Sequence, residues 1–341
     1  MVMSTAWQVV EYPDGEVLGE QFALTEMELP DVADGHVLVR NTWTSVDPGL
    51  RLRLRPSAPS GYFAAFPLRR PMDGILTVGV IEQSRAEGFP VGSCVWHSYG
   101  WRSHAVVDPG KAAMNGLASL RVLDLKRAPA QAYLGPLGGM GLTAYAGLHV
   151  IDALDGAGTL WVSAAAGAVG SLVCQIAKFS GLRVVASAGT DEKVAWLRND
   201  IGVDAAFNWR AGPLEESLRA VAPEGLDFYF DNVGGTHLEA ALEAMNNNGR
   251  VSLCGSISDY EREAVGPRNL FLATSKNLTL RGFRGSAHAP LLDIMQERLA
   301  PWLADGRLAY RESIYEGLES APAALADMMA GRTVGKTMIR I

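Results

Sequence analysis

The sequence predicts an α/β protein of two domains, a compact irregular β domain followed by a parallel sheet covered by helices. Two observations carry this. The first third is turn-rich, with short β-type runs and no long helical period. From about Ala128 strand-like and helical runs alternate, the pattern that builds a doubly wound sheet. The length of 341 residues agrees, since a domain takes about 100–200 residues.

In the first third, Val37–Asn41, Val78–Ile81, Cys94–Trp96 and Ala105–Val107 read as strands. Pro13-Asp14-Gly15, Ala33-Asp34-Gly35, Asp73-Gly74 and Pro90-Val91-Gly92 punctuate them as turns. The alternating part opens with a strand at Thr159–Ser163. A helix over Gly167–Ser180 follows, with Leu172, Val173, Ile176 and Ala177 on one face. Arg183–Ala188 is a strand. The helix from Thr190 to about Ile201 has Asp191 and Glu192 in its first turn, where the dipole favours acids. Strands at Ala205–Asn208 and Leu226–Asp231 flank a helix over Leu214–Ala222. A helix at His237–Met245 leads to strands at Arg250–Cys254 and Leu278–Gly282, then a helix near Leu291–Ala304. Residues 335–341 alternate like a strand.

Lysine and arginine total 30 against 37 aspartates and glutamates, a net charge of −7. No basic surplus points to nucleic acid or an anionic membrane. Cys94, Cys174 and Cys254 are too few and scattered for a disulfide framework or a CxxC zinc site, and read as buried reduced thiols. The longest apolar tract, near Ala164–Ala177, is broken by glycine and is shorter than the roughly 20 residues of a membrane span. The start carries no signal pattern. A soluble cytoplasmic protein is expected.

The most informative stretch runs from Thr159 to Gly170, where a strand enters a tight turn that opens a helix. Gly167 and Gly170 let backbone amides approach a pyrophosphate at the helix N-terminus. Ala164 stands where the usual first glycine would be. The strand before, the helix after and the next strand at Arg183 supply the context of a dinucleotide site. The alternative is a strand–helix turn that binds nothing. An NAD site usually carries an acid at the tip of the second strand. Here that tip is Ala186-Ser187-Ala188-Gly189, small and neutral. Asp191 falls inside the next helix start, where acids have an ordinary structural role. Lys193 on the same turn can pair with a 2′-phosphate, and Ser187 and Thr190 can add hydrogen bonds. NADP is expected over NAD.

Residues 165–171, Ala-Ala-Gly-Ala-Val-Gly-Ser, resemble the zinc-independent medium-chain dehydrogenase/reductases. So do residues 189–194, 230–235, 254–260 and 334–336. The branch resembled is that of prostaglandin reductase, leukotriene 12-hydroxydehydrogenase and alkenal double-bond reductases. Ser45-Val46-Asp47-Pro48, Gly100-Trp101 and residues 141–145 extend the likeness over nearly the whole chain. The resemblance implies a GroES-like domain formed by both ends, 1–128 and 306–341, and a Rossmann domain over 129–305. It implies an active cleft between them, NADP(H), and a homodimer joined by Rossmann sheets.

Carried over residue by residue, Ala166, Gly167, Ala168, Val169 and Gly170 match the pyrophosphate turn. Gly189 and Lys193 match the phosphate end, and Asn232 a cofactor contact. Cys254, Gly255, Ser256, Ile257 and Tyr260 match the loop beside the nicotinamide, and Phe283 a segment lining it. Tyr62 matches an aromatic near the cleft mouth. Three positions depart from the pattern. Trp209 replaces a tyrosine near the adenine ribose, so its hydroxyl is lost and Arg210 is the compensating candidate. Gly49 replaces an aromatic, which implies a roomier or different substrate pocket. Thr333 replaces an asparagine.

No catalytic metal is expected. The segment Ser45–Pro48 has no cysteine, and His97, followed by Ser98 and Tyr99, has no neighbouring glutamate and reads as structural. Without a Lewis acid a conjugated carbonyl is the easier acceptor, because hydride at its β-carbon spreads charge onto the oxygen as an enolate. Tyr260 is the candidate catalytic residue, as proton donor or as cofactor clamp. The expected function is NADPH-dependent reduction of the carbon–carbon double bond of α,β-unsaturated aldehydes or ketones. The alternatives are a zinc-free quinone reductase and a non-catalytic NADP-binding protein. The Arg51, Arg53, Arg55 alternation reads as a solvated face with ion pairs, or as a lure for an acidic substrate. Gly138–Gly141 reads as a hinge or a place of tight packing.

Overall fold

The computed structural model describes residues 2–17, 19–112, 114–261, 264 and 266–341. The chain begins with strands β1 (Met3–Val9), β2 (Phe22–Glu28), β3 (Val37–Ser45), β4 (Thr77–Ser84), β5 (Cys94–His97), β6 (His104–Val107) and β7 (Arg121–Val122). Helix α1 (Gly139–His149) leads into β8 (Thr159–Val162), α2 (Ala168–Phe179), β9 (Arg183–Ala188), α3 (Asp191–Asn199) and β10 (Ala205–Asn208). Then come α4 (Leu214–Val221), β11 (Leu226–Asp231), α5 (Gly235–Ala244) and β12 (Met245–Leu253). They are followed by α6 (Phe271–Ser275), β13 (Thr279–Gly282), α7 (Leu292–Ala304), β14 (Glu312–Glu316), α8 (Ala321–Met329) and β15 (Lys336–Arg340).

Two compact units result. One holds Met1–Gly139 with Glu312–Ile341, the other Met140–Arg311. These limits fall later than the 128 and 305 expected from the sequence, for identifiable reasons. A 3-10 helix over Ala130–Leu134 packs on β3 and β4, so it stays with the first unit. Residues 306–311 stay with the second. The Ala309 N–H and carbonyl each bond the Gln175 side chain, at 2.7 and 2.8 Å, and Arg311 lies over the Trp196 ring.

In the first unit, among the described residues, β1 and β2 form an antiparallel pair, and seven strands form a mixed sheet in the order β14-β15-β3-β4-β5-β7, with β6 also on β3. Its core joins both ends of the chain: Val9, Phe66 and Trp101 pack with Leu325 and Ile339. Arg51 and Arg53 are not a solvated face. They lie on a 3-10 helix over Pro48–Arg53 and are only 4% and 9% exposed. Arg51 donates to the carbonyls of Gly15 and Leu54, and Arg53 to those of Ala64 and Gly74, with its guanidinium 3.7 Å over Phe66. Burial lowers Arg53 to about 10. Alternation reads as a strand face, but the chain here winds with a period of three.

In the second unit six described strands, all parallel, run in the order β10-β9-β8-β11-β12-β13. This is the Rossmann order, with its reversal between β8 and β11. Trp161, Tyr229, Leu242 and Val251 are part of a core on one side of the sheet. A side chain on Gly138 would collide with the Tyr133 carbonyl, so tight packing accounts for that glycine. Of the cysteines only Cys174 is fully buried; Cys94 and Cys254 are half-buried.

Candidate active site

Because the six described strands of the second unit are all parallel, their C-terminal ends share one edge. The second-unit residues singled out in the sequence follow those ends in turn. The 164–170 turn follows β8, Gly189 follows β9, Trp209 follows β10, Asn232 follows β11, Cys254 follows β12 and Phe283 follows β13. Ligands of such sheets bind beyond this edge, at the point where strand order reverses.

At that point β8 gives way to a turn closed by the Gly167 N–H on the Ala164 carbonyl, 3.0 Å, and tied to β9 by the Ala165 N–H on Ser187 O, 3.0 Å. Ala164 sits at φ +45°, in the left-handed region that favours glycine. Gly170 is needed for closeness: a Cβ there would stand 2.6 Å from the Ala164 carbonyl oxygen. Ala166 is buried, and Ala168 and Val169 half-buried. Gly167 caps α2 without a side-chain bond, so no side chain fills the donor end of this helix there.

Beyond β9 and β10 the site is basic. A Cβ on Gly189 would lie 3.4 Å from Trp209 Nε1 and 3.5 Å from Arg210 Cζ. The Arg210 guanidinium stands 5.0 Å over the Trp209 ring, whose indole also meets the His237 ring edge-on at 5.1 Å. Lys193 is half-buried. Burial and the Arg210 charge lower its pKa, against a pull from Glu192. Asp191 accepts from Asn208 Nδ2 at 2.8 Å. The Thr190 hydroxyl caps α3, accepting from Lys193 N–H at 3.3 Å. Ser187 is fully buried and accepts from Trp161 Nε1 at 3.1 Å, so it faces the core and not a ribose.

Beneath β8 and β11 lies a polar network that the sequence reading missed. Asn232 N–H donates to Ser163 Oγ at 3.0 Å and its Nδ2 to Ser163 O at 2.7 Å. The Tyr229 hydroxyl lies 3.0 Å from Ser163 Oγ and donates to Asp231 Oδ1 at 2.8 Å. That oxygen also accepts from the N–H groups of Val233 and Gly234. Burial raises the Asp231 carboxyl, and these bonds oppose it. The network fixes Asn232 at the crossover. Polar residues ending a strand at Asp231-Asn232 were its only signal.

The loop after β12 folds onto the same edge. Cys254 and Gly255 N–H both donate to Asp231 O, and Ile257 N–H to Asn232 O at 3.2 Å. Ser256 packs against Gly234. The Tyr260 side chain turns back over this loop, its hydroxyl 3.0 Å from where a Gly255 Cβ would be. Burial pushes the Cys254 thiol up to about 12. Phe283 meets Phe230 and His288 edge-on, at 6.1 and 6.2 Å.

Tyr62 belongs to the first unit and packs edge-on against Phe63, ring centroids 5.0 Å apart. Gly49 does not leave the expected room, because the Tyr62 phenol fills the space a larger residue would take. His97 is buried, its Nε2 2.9 Å from Asn41 Oδ1 and its Nδ1 accepting from Tyr99 N–H at 3.1 Å. The motif residues 45–48 and 334–336 meet: Lys336 Nζ donates to Val46 O, Asp47 Oδ1 and Thr337 O within 2.9 Å. Among the described residues no group of three or more His, Cys, Asp or Glu could hold a metal ion.

Two family models match, one described as the N-terminal domain of oxidoreductase over residues 5–114, the other as zinc-binding dehydrogenase over 168–302. Prostaglandin reductase 1 of Mus musculus is 37% identical over 348 residues, all of both chains. The chain belongs to the zinc-independent medium-chain dehydrogenase/reductases. The 2-alkenal reductase (NADP(+)-dependent) of Nicotiana tabacum is 35% identical, covering 98% of this chain and 95% of that one. Among solved structures, CurA from Vibrio vulnificus in complex with NADPH is 31% identical, with a TM-score of 0.90 over 98% of each chain. The label of the second model notwithstanding, its matched stretch contributes Cys174, sealed in α2, and Cys254, in the loop after β12, and no metal-holding group of described residues.

Proposed function

We propose that this protein reduces the carbon–carbon double bond of α,β-unsaturated aldehydes or ketones, with NADPH as the reductant. The cofactor is NADP(H). The observation that carries the reading is the single sheet edge. Along it lie an uncapped helix N-terminus behind Gly167, the basic Lys193–Arg210 pair, an Asp191 carboxylate already bonded to Asn208, and the ordered 254–260 loop.

These residues suit a phosphorylated dinucleotide. Gly170 lets α2 close on the turn, so the N–H groups of Ala168 and Val169 would hold the pyrophosphate. Two cations that repel each other gain from a 2′-phosphate dianion. Asn232, immobilised by Ser163, offers its polar group at the crossover, and Phe283 offers an apolar ring. The reductant supplies a hydride to the β-carbon. Tyr260 would then stabilise the enolate by donating its hydroxyl proton to the carbonyl oxygen or protonating the α-carbon. Tyr62 is assigned to the substrate. The bonded ring nitrogens of His97 keep it structural.

A homodimer joined through the Rossmann sheet goes with this reading. Among the described strands β13 ends the sheet with three of its four residues exposed, and Phe271, on α6 just ahead of it in the chain, is 76% exposed. No described helix is long and apolar enough to cross a membrane. Three unpaired cysteines suit a reducing cytoplasm.

The test is NADPH oxidation followed with a conjugated enone, its saturated ketone, a quinone, and no acceptor. Turnover with the enone alone is expected. Turnover with the quinone alone assigns the protein to quinone reduction. Uptake of NADPH by calorimetry without turnover on any acceptor makes it a binding protein.

A further inference from the structure

The edge formed by β9 and β10 sets an acid beside two bases. Asp191 and Lys193 lie on the first turn of α3, and Arg210 follows β10. Asn208, the last residue of β10, links them. Its Nδ2 donates to Asp191 Oδ1 at 2.8 Å, and its Oδ1 accepts from the Arg210 backbone N–H at 3.0 Å. The amide orientation follows from its partners, because a backbone N–H only donates and an ionised carboxylate only accepts. One side chain thus pins both the acid and the segment that presents the guanidinium.

We propose that Asn208 is a positioning residue for coenzyme selectivity: it holds the Asp191 carboxylate on β10, so that the acid neither takes the ribose hydroxyls nor opposes the 2′-phosphate. The proposal rests on the reading of this edge as an NADP(H) site. Acids near this position bond the ribose hydroxyls in NAD-binding sheets and repel a phosphate. Asp191 is at the right distance in sequence to do so, and it is exposed. The neutral donor of Asn208 satisfies it elsewhere. The same amide fixes the chain at Arg210, which stands against Trp209 and close to Gly189. Trp209 has no hydroxyl to offer a phosphate, so Lys193 and Arg210 are left to receive it, and selectivity depends on keeping the nearby anion engaged.

The experiment is calorimetric binding of adenosine 2′,5′-bisphosphate and adenosine 5′-monophosphate to the full chain, without turnover. Wild type is compared with Asn208→Ala and with Asn208→Ala combined with Asp191→Asn. Wild type should prefer the bisphosphate; no preference would overturn the NADP(H) reading itself. Asn208→Ala should weaken the bisphosphate about tenfold, the scale of one added carboxylate charge facing a dianion near solvent. Monophosphate binding should stay within about twofold, on the same scale, which also reports that the site is folded. Adding Asp191→Asn should restore most of the lost bisphosphate affinity. An unchanged selectivity in Asn208→Ala, an equal loss for both ligands, or no recovery in the double variant overturns the proposal.

Discussion

The phenol oxygen of Tyr62 occupies the place where any side chain on residue 49 would begin. Gly49 has no left-handed φ, so a substitution there is judged by space alone. Gly49→Ala should cost about 1–2 kcal/mol through overpacking. Tyr62→Phe, which removes only the oxygen, should return most of that when combined with it. Urea denaturation of the four variants gives the coupling directly, and a coupling under about 0.5 kcal/mol would show that the two positions act separately.

Ala164 takes a backbone conformation that costs a residue with a Cβ about 1–2 kcal/mol. Glycine avoids that cost but loses about 0.4–1 kcal/mol through its freer unfolded chain. Ala164→Gly should therefore be neutral or stabilising by up to about 1.6 kcal/mol, and Ala164→Val clearly destabilising. Thermal unfolding should rank them Gly at or above Ala, and Val last.

Two histidines make folding sensitive to acid. Burial, aided by the Arg102 charge, lowers His97 to about 3, and burial lowers His237 to about 4. The unfolded chain binds these protons near pH 6.5, while the folded chain refuses them. Stability is full above about pH 6.5 and falls as the pH drops toward the folded values, by up to about 1.4 kcal/mol per pH unit for each group. His237→Phe, which keeps a ring between Trp161 and Trp209, should remove one proton from the slope between pH 6 and about 4. Denaturation midpoints across that range check it; an unchanged slope would mean that His237 does not contribute.

Tyr260 can act as a proton donor or as a support for the loop around Gly255. Tyr260→Phe keeps the ring and should lower kcat about a hundredfold, the low end for a lost general acid, while NADPH affinity changes less than about threefold. Intact kcat with weakened NADPH binding would make the tyrosine a clamp.

The second unit was legible because parallel strands buried on both faces leave unbroken apolar runs between amphipathic helices. Arg183–Ala188 and Leu226–Asp231 read from the sequence with the limits they have in the structure. The first unit was less so. β14 and α8 follow the second unit in the chain yet pack with residues far earlier, which no local period records. Arg51 and Arg53 look like surface residues because nothing in sequence reveals that the carbonyls of Gly15, Ala64 and Gly74 await them. Most residues proposed to meet the cofactor could be read from position, because the 164–170 turn, Gly189, Trp209, Asn232, Cys254 and Phe283 each follow a strand end. Ser187 could not, since a serine pointing inward to Trp161 and one pointing outward to a ribose read identically. Asn208 escaped for the same reason: its meaning lies in two bonds to positions on either side of it.

β15 lies between β14, parallel to it, and β3, antiparallel to it, and Lys336 on that strand closes on Val46 and Asp47. During synthesis, then, β3 waits for a neighbour nearly three hundred residues downstream, while all strands of the Rossmann sheet have already left the ribosome. The lobe begun first is completed last. In that interval the Trp43–Ser45 end of β3, beyond the part that β6 covers, is an open template for other chains, so conditions that slow translation near residues 312–341 should favour aggregation over a stable truncated product.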